Sequence, residues 1–344
     1  MNGIDWDVRY SKHWVRYYGW CRASRSFKKR QKKEQVKYLT LSDVNALDIY
    51  ALELEGVLTR DDDFRIPNVV IVESEDWKIP LIVQAVHPPV PSAVILGKIQ
   101  ELINLDVEQL KSRIDQSGPN WRRSRALRLL ADKLPNHELL ISEFPFDIIN
   151  FDVQQSFINP PPPGNSFSRA FEKILRLQSG IGAFLIFLTS RVADDDLRSG
   201  YENLFRRDVN RNITTYSGIR DALNSSLKAD EYSEIQDQIK RLVIGFAKSL
   251  VALPANESGW NVHHHGMYIY DHPQGERMLN VMVELREVGP VVNDSAYVRE
   301  IVKVIEDMPT YVSYDEAEKD EEARGHLDRV IRRREEIQAK FIPD

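Results

Sequence analysis

Short apolar runs rich in Val, Ile, Leu and Phe recur along the chain and alternate with longer amphipathic stretches. Such runs occur at 38–41, 69–72, 148–152 and 183–188. Strands that are buried on both faces have near-continuous apolar sequences, because helices cover a parallel sheet on either side. The pattern therefore predicts an α/β fold in which these four segments are parallel strands of one sheet. The residues at their carboxyl ends would then face a common crevice.

The segments between the strands have helical spacing of apolar residues. One such helix is predicted over 44–55, and Gly56 directly after it is typical of a helix end. Further along, strand patterns at 260–270 and 277–288 flank a turn that contains Pro and Gly, which predicts an antiparallel hairpin. We therefore expect a Rossmann-like, mostly parallel sheet closed by an antiparallel C-terminal hairpin, with helices on both faces.

The same pattern divides the chain into three parts. Residues 1–36 are predicted to be a basic, aromatic N-terminal arm, 37–290 the Rossmann-like domain, and 291–344 a charged helical tail. Within the domain, the polar and irregular segment 193–230 is predicted to be a helical excursion beside the sheet.

The composition indicates the cellular location of the protein and whether it contacts a membrane. The chain has 344 residues and a single cysteine, Cys21, which excludes an internal disulfide. It contains no run of the ~20 apolar residues that a membrane-spanning helix requires, and it begins without the apolar region of a secretory signal. We therefore expect a cytoplasmic protein that makes no membrane contact.

Charge is distributed unevenly along the chain. The net charge is −6, yet residues 9–37 contain eleven Lys or Arg and one acid, Glu34. A basic segment on an acidic protein indicates an anionic partner, so we predict that the arm binds DNA or RNA. The predicted contacts are Lys28, Lys29, Arg30, Lys32 and Lys33, together with Arg122 and Arg123 from a second basic stretch.

Two other interpretations of the arm are open. In the first, its basic side chains dock onto the protein's own acidic surface or onto an acidic protein subunit. In the second, Trp14, Tyr17 and Tyr18 share one stripe of a helix, and that helix packs onto the sheet.

The order of the elements resembles that of class I S-adenosylmethionine-dependent methyltransferases. Alternating strands and helices are followed by a long helix, predicted at 233–251, and by the hairpin. Members of that family have a seven-stranded sheet whose last two strands form such a hairpin. The resemblance covers about Lys37–Val288 and rests on element order. More narrowly, the chain is similar to divergent bacterial methyltransferase-like proteins of unassigned substrate.

The resemblance implies which residues would bind S-adenosylmethionine. Family members end the second strand with an acid that binds the ribose hydroxyls, and here Glu73 or Glu75 holds that position. Ser42 and Asp43, in the loop after the first strand, would contact the methionine end. The chain departs from the family in this loop. Residues 42–45 contain no glycine, so the backbone would stand farther from a ligand.

The resemblance also implies a catalytic position at the end of the fourth strand. A polar residue should face the reactive methyl group there, and Asp152 holds that position. Amine-methylating members place an Asn/Asp-Pro-Pro-aromatic turn directly after this strand. The related stretch here begins at Asn159, several residues later, and has Pro162 in place of the aromatic residue. The alternative is that this stretch is a stiff polyproline connector.

Two further patterns suggest metal chemistry. His263 and His265 would share one face of a strand, but a metal site needs a third ligand, and the alternative is that they are ordinary hairpin histidines. Asp76-Trp77-Lys78 matches the acid-x-Lys half of a metal-dependent nuclease site, with Asp61–Asp63 as upstream acids. That pattern belongs within a strand, whereas here it follows one.

Three functions are therefore open. The first is a divergent S-adenosylmethionine-dependent methyltransferase-like protein that acts on nucleic acid or is bound to it. The second is a catalytically silent Rossmann module that serves as a binding subunit of a multiprotein complex. The third is a metal-dependent nuclease.

Overall fold

The computed structural model describes residues 10–87, 93–152, 167–192, 217–218, 221, 259–271, 277–288, 298–299, 302 and 310–341. In these ranges, eight strands form one sheet. The strands are β1 (Tyr38–Thr40), β2 (Val69–Glu73), β3 (Val94–Leu96), β4 (Ile148–Asp152), β5 (Ala183–Val192), β6 (Trp260–Asp271), β7 (Arg277–Glu287) and β8 (Thr310–Val312). Their order across the sheet is β3-β2-β1-β4-β5-β7-β6-β8.

The sheet is mostly parallel. β7 runs antiparallel to both of its neighbours, β5 and β6, and the other neighbouring strands pair in parallel. The predicted α/β class and the mostly parallel sheet are thus confirmed, as is the antiparallel pairing of the two strands that the sequence places in a hairpin. The turn of that hairpin, at 272–276, lies outside the described residues.

The prediction that the hairpin closes the sheet is wrong. The sheet is open, and it extends beyond β6, because β8 pairs in parallel with Tyr268–Tyr270 of that strand. β8 is three residues long. A segment so short has too few positions for a strand pattern to be visible in the sequence.

The pairing register aligns the carboxyl ends of the central strands. Leu39 of β1 lies beside Val70 of β2 and Ile149 of β4, and Ile149 in turn lies beside Ile186 of β5. Because these strands are parallel, the loops that follow them emerge at one edge of the sheet. β2 and β3 lie on one side of β1, and β4 and β5 on the other, so the strand order reverses between β1 and β4.

Both faces of the sheet are buried. Successive strand residues enter opposite cores, with Leu39, Ile149 and Ile186 in one core and Tyr38 and Ile148 in the other. Burial on both faces explains why the strand sequences are continuously apolar.

Helices cover each face. Those with described bounds are α1 (Tyr10–Val15), α2 (Arg22–Arg30), α3 (Leu47–Leu54), α4 (Ile79–Val86), α5 (Ile99–Asn104), α6 (Val107–Ser117), α7 (Arg125–Ala131), α8 (Leu134–Ser142), α9 (Phe167–Leu177), α10 (Tyr314–Lys319) and α11 (Glu321–Ala339). Residues of α5, α8 and α9 pack on the face of Leu39, and residues of α1 to α4, α10 and α11 pack on the other face. The predicted excursion at 193–230 (apart from 217–218 and 221) and the predicted helix at 233–251 lie outside the described residues.

The segment predicted to be an arm forms part of the core. α1, a π-helical segment at Arg16–Cys21 and α2 follow one another without a break. Trp20 and Phe27 are fully buried, and the Trp20 ring stacks on Phe187 of β5 at a centroid distance of 5.5 Å. The Trp20 indole Nε1 donates a hydrogen bond of 3.1 Å to Asn280 Oδ1 on β7. Residues 10–30 therefore cover one face of the sheet, as the packing interpretation expects.

The aromatic stripe of this helix binds the C-terminal helices through its polar atoms. Trp14 Nε1 donates to Asp320 Oδ2 at 3.0 Å, and the hydroxyls of Tyr17 and Tyr18 donate to the Glu322 carboxylate at 2.5 and 3.1 Å. These hydrogen bonds join the first helices to the last helix, which is more than 300 residues away in the chain.

The C-terminal segment is helical and packed. Ser313 and Glu316 form a reciprocal capping box at the start of α10, and the Asp320 side chain caps α11. Val330 and Ile337 of α11 are fully buried in the core that contains α3. The charged residues of this segment thus lie on the outer side of α11, a helix that is part of the folded core.

Phe27→Ala should lower the free energy of unfolding by ~3–5 kcal/mol, because removing a fully buried ring leaves a cavity in a core shared with the sheet. Chemical denaturation followed by circular dichroism measures the change. Lys29→Ala is the matched control, since Lys29 is exposed two residues away and its replacement should cost less than about 0.5 kcal/mol. Equal stabilities of the two variants would show that the helix is a separable arm.

Candidate functional site

The edge at which β1, β2 and β4 end carries most of the predicted cofactor residues. In open α/β sheets a crevice forms outside the carboxyl ends of the strands at the point where the strand order reverses. Here that point lies between β1 and β4, and we call it the β1/β4 crevice. The residues predicted at this edge are Ser42 and Asp43 after β1, Glu73 and Glu75 at the end of β2, and Asp152 at the end of β4.

A buried carboxylate holds the first strand to the helix that follows it. Asp48, in the first turn of α3, accepts hydrogen bonds from Tyr38 Oη at 2.8 Å, Thr40 Oγ1 at 2.7 Å and Ser42 Oγ at 2.5 Å. Burial, followed by the Asp48 charge, raises the pKa of Tyr38 well above its ordinary value. Ser42 is itself buried, so its hydroxyl serves this network.

The loop after β1 is held in a fixed turn. Asp43 Oδ1 accepts from the backbone N–H of Val44 at 2.8 Å, and the Asp43 carbonyl accepts from the N–H of Ala46 at 2.8 Å. Ala46 has a φ of 48°, in the left-handed region, and α3 begins directly after it. The helix predicted to start at 44 therefore starts at Leu47, and Asp43 remains half-buried at the crevice.

The two acids after β2 differ in environment. Glu73 is buried, and its Oε1 accepts from the N–H of Glu75 at 2.8 Å and from Ser74 Oγ at 3.3 Å. Glu75 is exposed, and its carboxylate lies 3.7 Å from Lys78 Nζ. The same ammonium lies 3.7 Å from Asp43, so Lys78 connects the loops after β1 and β2.

The end of β4 carries an amide and a carboxylate. Asn150 is buried, and its Nδ2 donates to Thr40 Oγ1 at 3.2 Å. Its Oδ1 is buried as well and has no hydrogen-bond donor among the described residues. Asp152 forms an ion pair of 2.7 Å with Lys12 Nζ, which comes from α1. Asn159 lies outside the described residues, so its predicted role stays a prediction.

The sequence contains partial signals for these partners. Tyr38 and Thr40 share one side of the strand, and Ser42 continues the same spacing just past its end, so the three hydroxyls can share one acceptor. Asn150 and Asp152 have the same spacing in β4. Lys12 has no such signal, since it lies 140 residues from Asp152 and reaches the crevice only through the packing of α1.

Three of the basic residues predicted to bind nucleic acid are used within the protein. Lys28 Nζ donates to the carbonyls of Gly56 and Val57 at 2.9 and 3.2 Å, just after α3. Arg30 binds Glu284, and Lys33 forms an ion pair of 2.5 Å with Asp147. For Arg30 and Lys33 the interpretation as contacts with the protein's own acids holds, whereas Lys28 is bound by backbone carbonyls. Lys29 and Lys32 are exposed.

Glu284, the partner of Arg30, also binds two other side chains. Its side chain is fully buried, and it accepts from His265 Nε2 at 2.9 Å, from Arg286 Nε at 2.8 Å and from Arg30. Burial alone would raise the pKa of Glu284. The hydrogen bonds from His265 and Arg286 and the nearby arginine charges outweigh burial and lower this pKa to about 2.

The metal patterns have the following placement. His265 binds Glu284, and the His263 ring lies 5.2 Å from the His265 ring. Within the described ranges, no group of three or more His, Cys, Asp or Glu side chains could hold a metal ion. Asp76–Lys78 forms a single 3-10 turn after β2, where the nuclease pattern requires a strand.

Within the described ranges, no helix is long and apolar enough to cross a membrane.

A cleft of about 490 Å³ lies among α5, α6, α7 and α9. It is lined by charged groups of both signs and contains none of the residues predicted from the sequence. The lining residues are Glu101, Asn104, Leu105, Asp106, Gln109, Leu110, Arg113, Leu130, Lys133 and Arg169.

Glu284→Gln should reduce the loss of stability in acid. Because the folded-state pKa of Glu284 lies below its ordinary value of 4.5, its carboxylate stabilises the fold above pH 4.5, and this contribution is lost as the pH falls toward 2. The unfolding free energies of wild type and variant should therefore differ by on the order of 3 kcal/mol at pH 7 and converge toward pH 2. Denaturation at several pH values, with the exposed Glu34→Gln as control, measures this. A constant difference would contradict the account.

The comparisons with known proteins bear on the family of the chain. The comparison with curated proteins finds no match. The sequence model of one family, described as PP_RS20740-like, matches residues 123–343, which is more than half of the chain. The match includes β4 to β8 and the C-terminal helices. The chain therefore belongs to the PP_RS20740-like family.

Proposed function

We propose that the chain is a Rossmann-like, methyltransferase-like protein that binds S-adenosylmethionine in the β1/β4 crevice and acts on nucleic acid. One observation carries this proposal. The first five strands have the order 3-2-1-4-5, which is the order of doubly wound nucleotide-binding sheets, with the reversal between β1 and β4. The antiparallel β7 beside β5 agrees with the hairpin expected from the resemblance.

Glu73 is the better candidate for the ribose contact. It is buried at the carboxyl end of β2, and both of its described hydrogen bonds go to Oε1. A carboxylate held in this way can accept from two neighbouring hydroxyls through its remaining lone pairs. Glu75 is exposed and lies beside Lys78, so it is less well placed for a fixed contact.

The chemistry of the crevice fits the other end of such a cofactor. The buried Asn150 Oδ1 lacks a donor among the described residues, and an amino group of a ligand would supply one. Asp43 would contact the same end from the loop after β1. Ser42 would act indirectly, because its hydroxyl is bonded to Asp48 and holds that loop in position.

S-adenosylmethionine supplies a methyl group activated by its sulfonium centre. In the proposal, Asp152 orients the acceptor by accepting a hydrogen bond from its N–H or O–H group. Lys12, at 2.7 Å, balances the charge of Asp152 when no acceptor is bound. Asn159 would also contact the acceptor, as the resemblance implies. Arg122 and Arg123, which are exposed and form no ion pair within the described residues, are the predicted contacts to DNA or RNA that the proposal keeps.

A second candidate function has its own support. Residues 42–45 contain no glycine, and the Ser42 hydroxyl is already engaged by Asp48. These features favour a catalytically silent Rossmann module that serves as a binding subunit of a multiprotein complex.

Titration calorimetry with S-adenosylmethionine at up to millimolar concentration separates the two candidates. We expect saturable binding to the wild type. Glu73→Gln should weaken it by roughly 10- to 100-fold, because a hydrogen bond to a charged group contributes about 1.5–3 kcal/mol. The Gln side chain can still accept from the N–H of Glu75, so the loop should keep its structure.

Glu75→Gln is the matched control and should leave the affinity within about twofold, since Glu75 is exposed. The opposite ranking of the two variants would assign the ribose contact to Glu75. The absence of binding heat with the wild type would contradict the cofactor proposal and support the silent module.

A further inference from the structure

A small helical unit interrupts the chain between β3 and β4. It comprises α6, a 3-10 segment at Gly118–Arg123, α7 and α8, and we call residues 107–142 the helical insertion. It has a core of its own, in which Leu110 and Leu127 are buried together with Leu105. Trp121 packs against this core from one side. The apolar side chains of the insertion thus pack mostly on this small core or, like Leu140 of α8, on the main core of the sheet, whereas Leu129 is exposed.

The outer side of the insertion carries a cluster of arginines. Residues 118–131 contain four arginines and no acid, whereas the whole chain has a net charge of −6. All four side chains are exposed, and none forms an ion pair with an acid in the part of the chain that the structure describes. We call Arg122, Arg123, Arg125 and Arg128 the arginine face.

This arrangement contrasts with that of the basic N-terminal segment. There, Lys28, Arg30 and Lys33 are bound to carbonyl or carboxylate groups of the protein itself. Exchanging an internal partner for a phosphate yields little free energy, because the internal hydrogen bond or ion pair must first be broken. Exposed arginines that form no ion pair have no such bond to break, apart from the contact of Arg122 with the Trp121 ring. Their planar guanidinium groups match the geometry of phosphate oxygens.

The chemistry around the arginine face favours nucleic acid over a lipid surface. A helix that binds membranes inserts an apolar face beside its basic residues. In the insertion, Leu127 is buried and Leu130 and Leu134 pack on the small core, while Leu129 is the large apolar side chain of α7 that is exposed. Trp121 also packs on this core. The Arg122 guanidinium lies 5.7 Å from the centroid of the Trp121 ring, so the Trp121 ring is not free to stack on a base.

We propose that the arginine face of the helical insertion binds the sugar–phosphate backbone of nucleic acid, and that the N-terminal basic segment is chiefly structural. The identity of the polyanion rests on the proposed function, whereas the location of the binding surface rests on the exposure and pairing of the arginines. Contacts to phosphates carry no base information, so the binding is independent of sequence.

Salt-dependent binding to a labelled 30-base-pair duplex of mixed sequence tests the location. For double-stranded DNA, the slope of log K against log salt concentration falls in magnitude by about 0.9 for each phosphate that the protein no longer neutralises. The double variants Arg122→Gln/Arg123→Gln and Arg125→Gln/Arg128→Gln should each flatten the slope by up to about 1.8. Lys29→Gln/Lys32→Gln is the matched control. It also removes two exposed positive charges, and it should flatten the slope by less than either arginine variant.

Four outcomes would overturn the inference. They are flattening in the lysine control that equals or exceeds that in the arginine variants, an equal slope in all proteins, no duplex binding by the wild type, and arginine-dependent binding to phosphatidylserine vesicles without duplex binding. The assay contains no S-adenosylmethionine, so its failure leaves the calorimetric test of the crevice untouched. Conversely, a chain that binds the duplex but gives no heat with the cofactor would retain the arginine face and lose the methyltransferase-like proposal.

Discussion

The central parallel sheet has apolar side chains on both faces, and each face must be covered for the sheet to exist in water. On the face of Leu39, α5, α8 and α9 provide the cover. On the other face, α3 and α4 share the cover with the two ends of the described chain, where Phe27 of α2 and Val330 of α11 are fully buried. The basic first helices and the charged last helix are therefore required by the sheet, and their polar contacts follow from that packing.

This constraint changes the meaning of the charge pattern. The run of basic residues in 28–33 lies against the sheet and the end of α3, close to the carboxylates of Asp147 and Glu284. Arg30 and Lys33 are thereby neutralised within the protein. Lys28 binds backbone carbonyls, and Lys29 and Lys32 are exposed. The arginine face of the helical insertion is packed on its own small core, and none of its four arginines pairs with an acid within the described ranges. A local excess of charge thus indicates an external partner only where folding leaves it unpaired.

The strands could be predicted because strands that are buried on both faces have continuously apolar sequences. Their parallel direction also predicts that Glu73 and Asp152 lie at one edge of the sheet. The short β8 and the exact start of α3 could not, since neither has a distinctive pattern. The pairing of Arg30 with Glu284 spans 254 residues, and nothing local to either residue encodes it. Ser42 was predicted as a ligand contact, whereas its bond to Asp48 depends on side-chain geometry that residue type alone does not determine.

The central claim is that the loops ending β1, β2 and β4 form one ligand crevice. Hydrogen–deuterium exchange of the whole protein with and without S-adenosylmethionine tests it most directly, because exchange locates protection along the backbone. The account predicts that the cofactor slows exchange in peptides covering 41–46, 73–78 and 150–152, and leaves the peptides of the helical insertion unchanged. Protection confined to other segments, or none at saturating ligand, would contradict it.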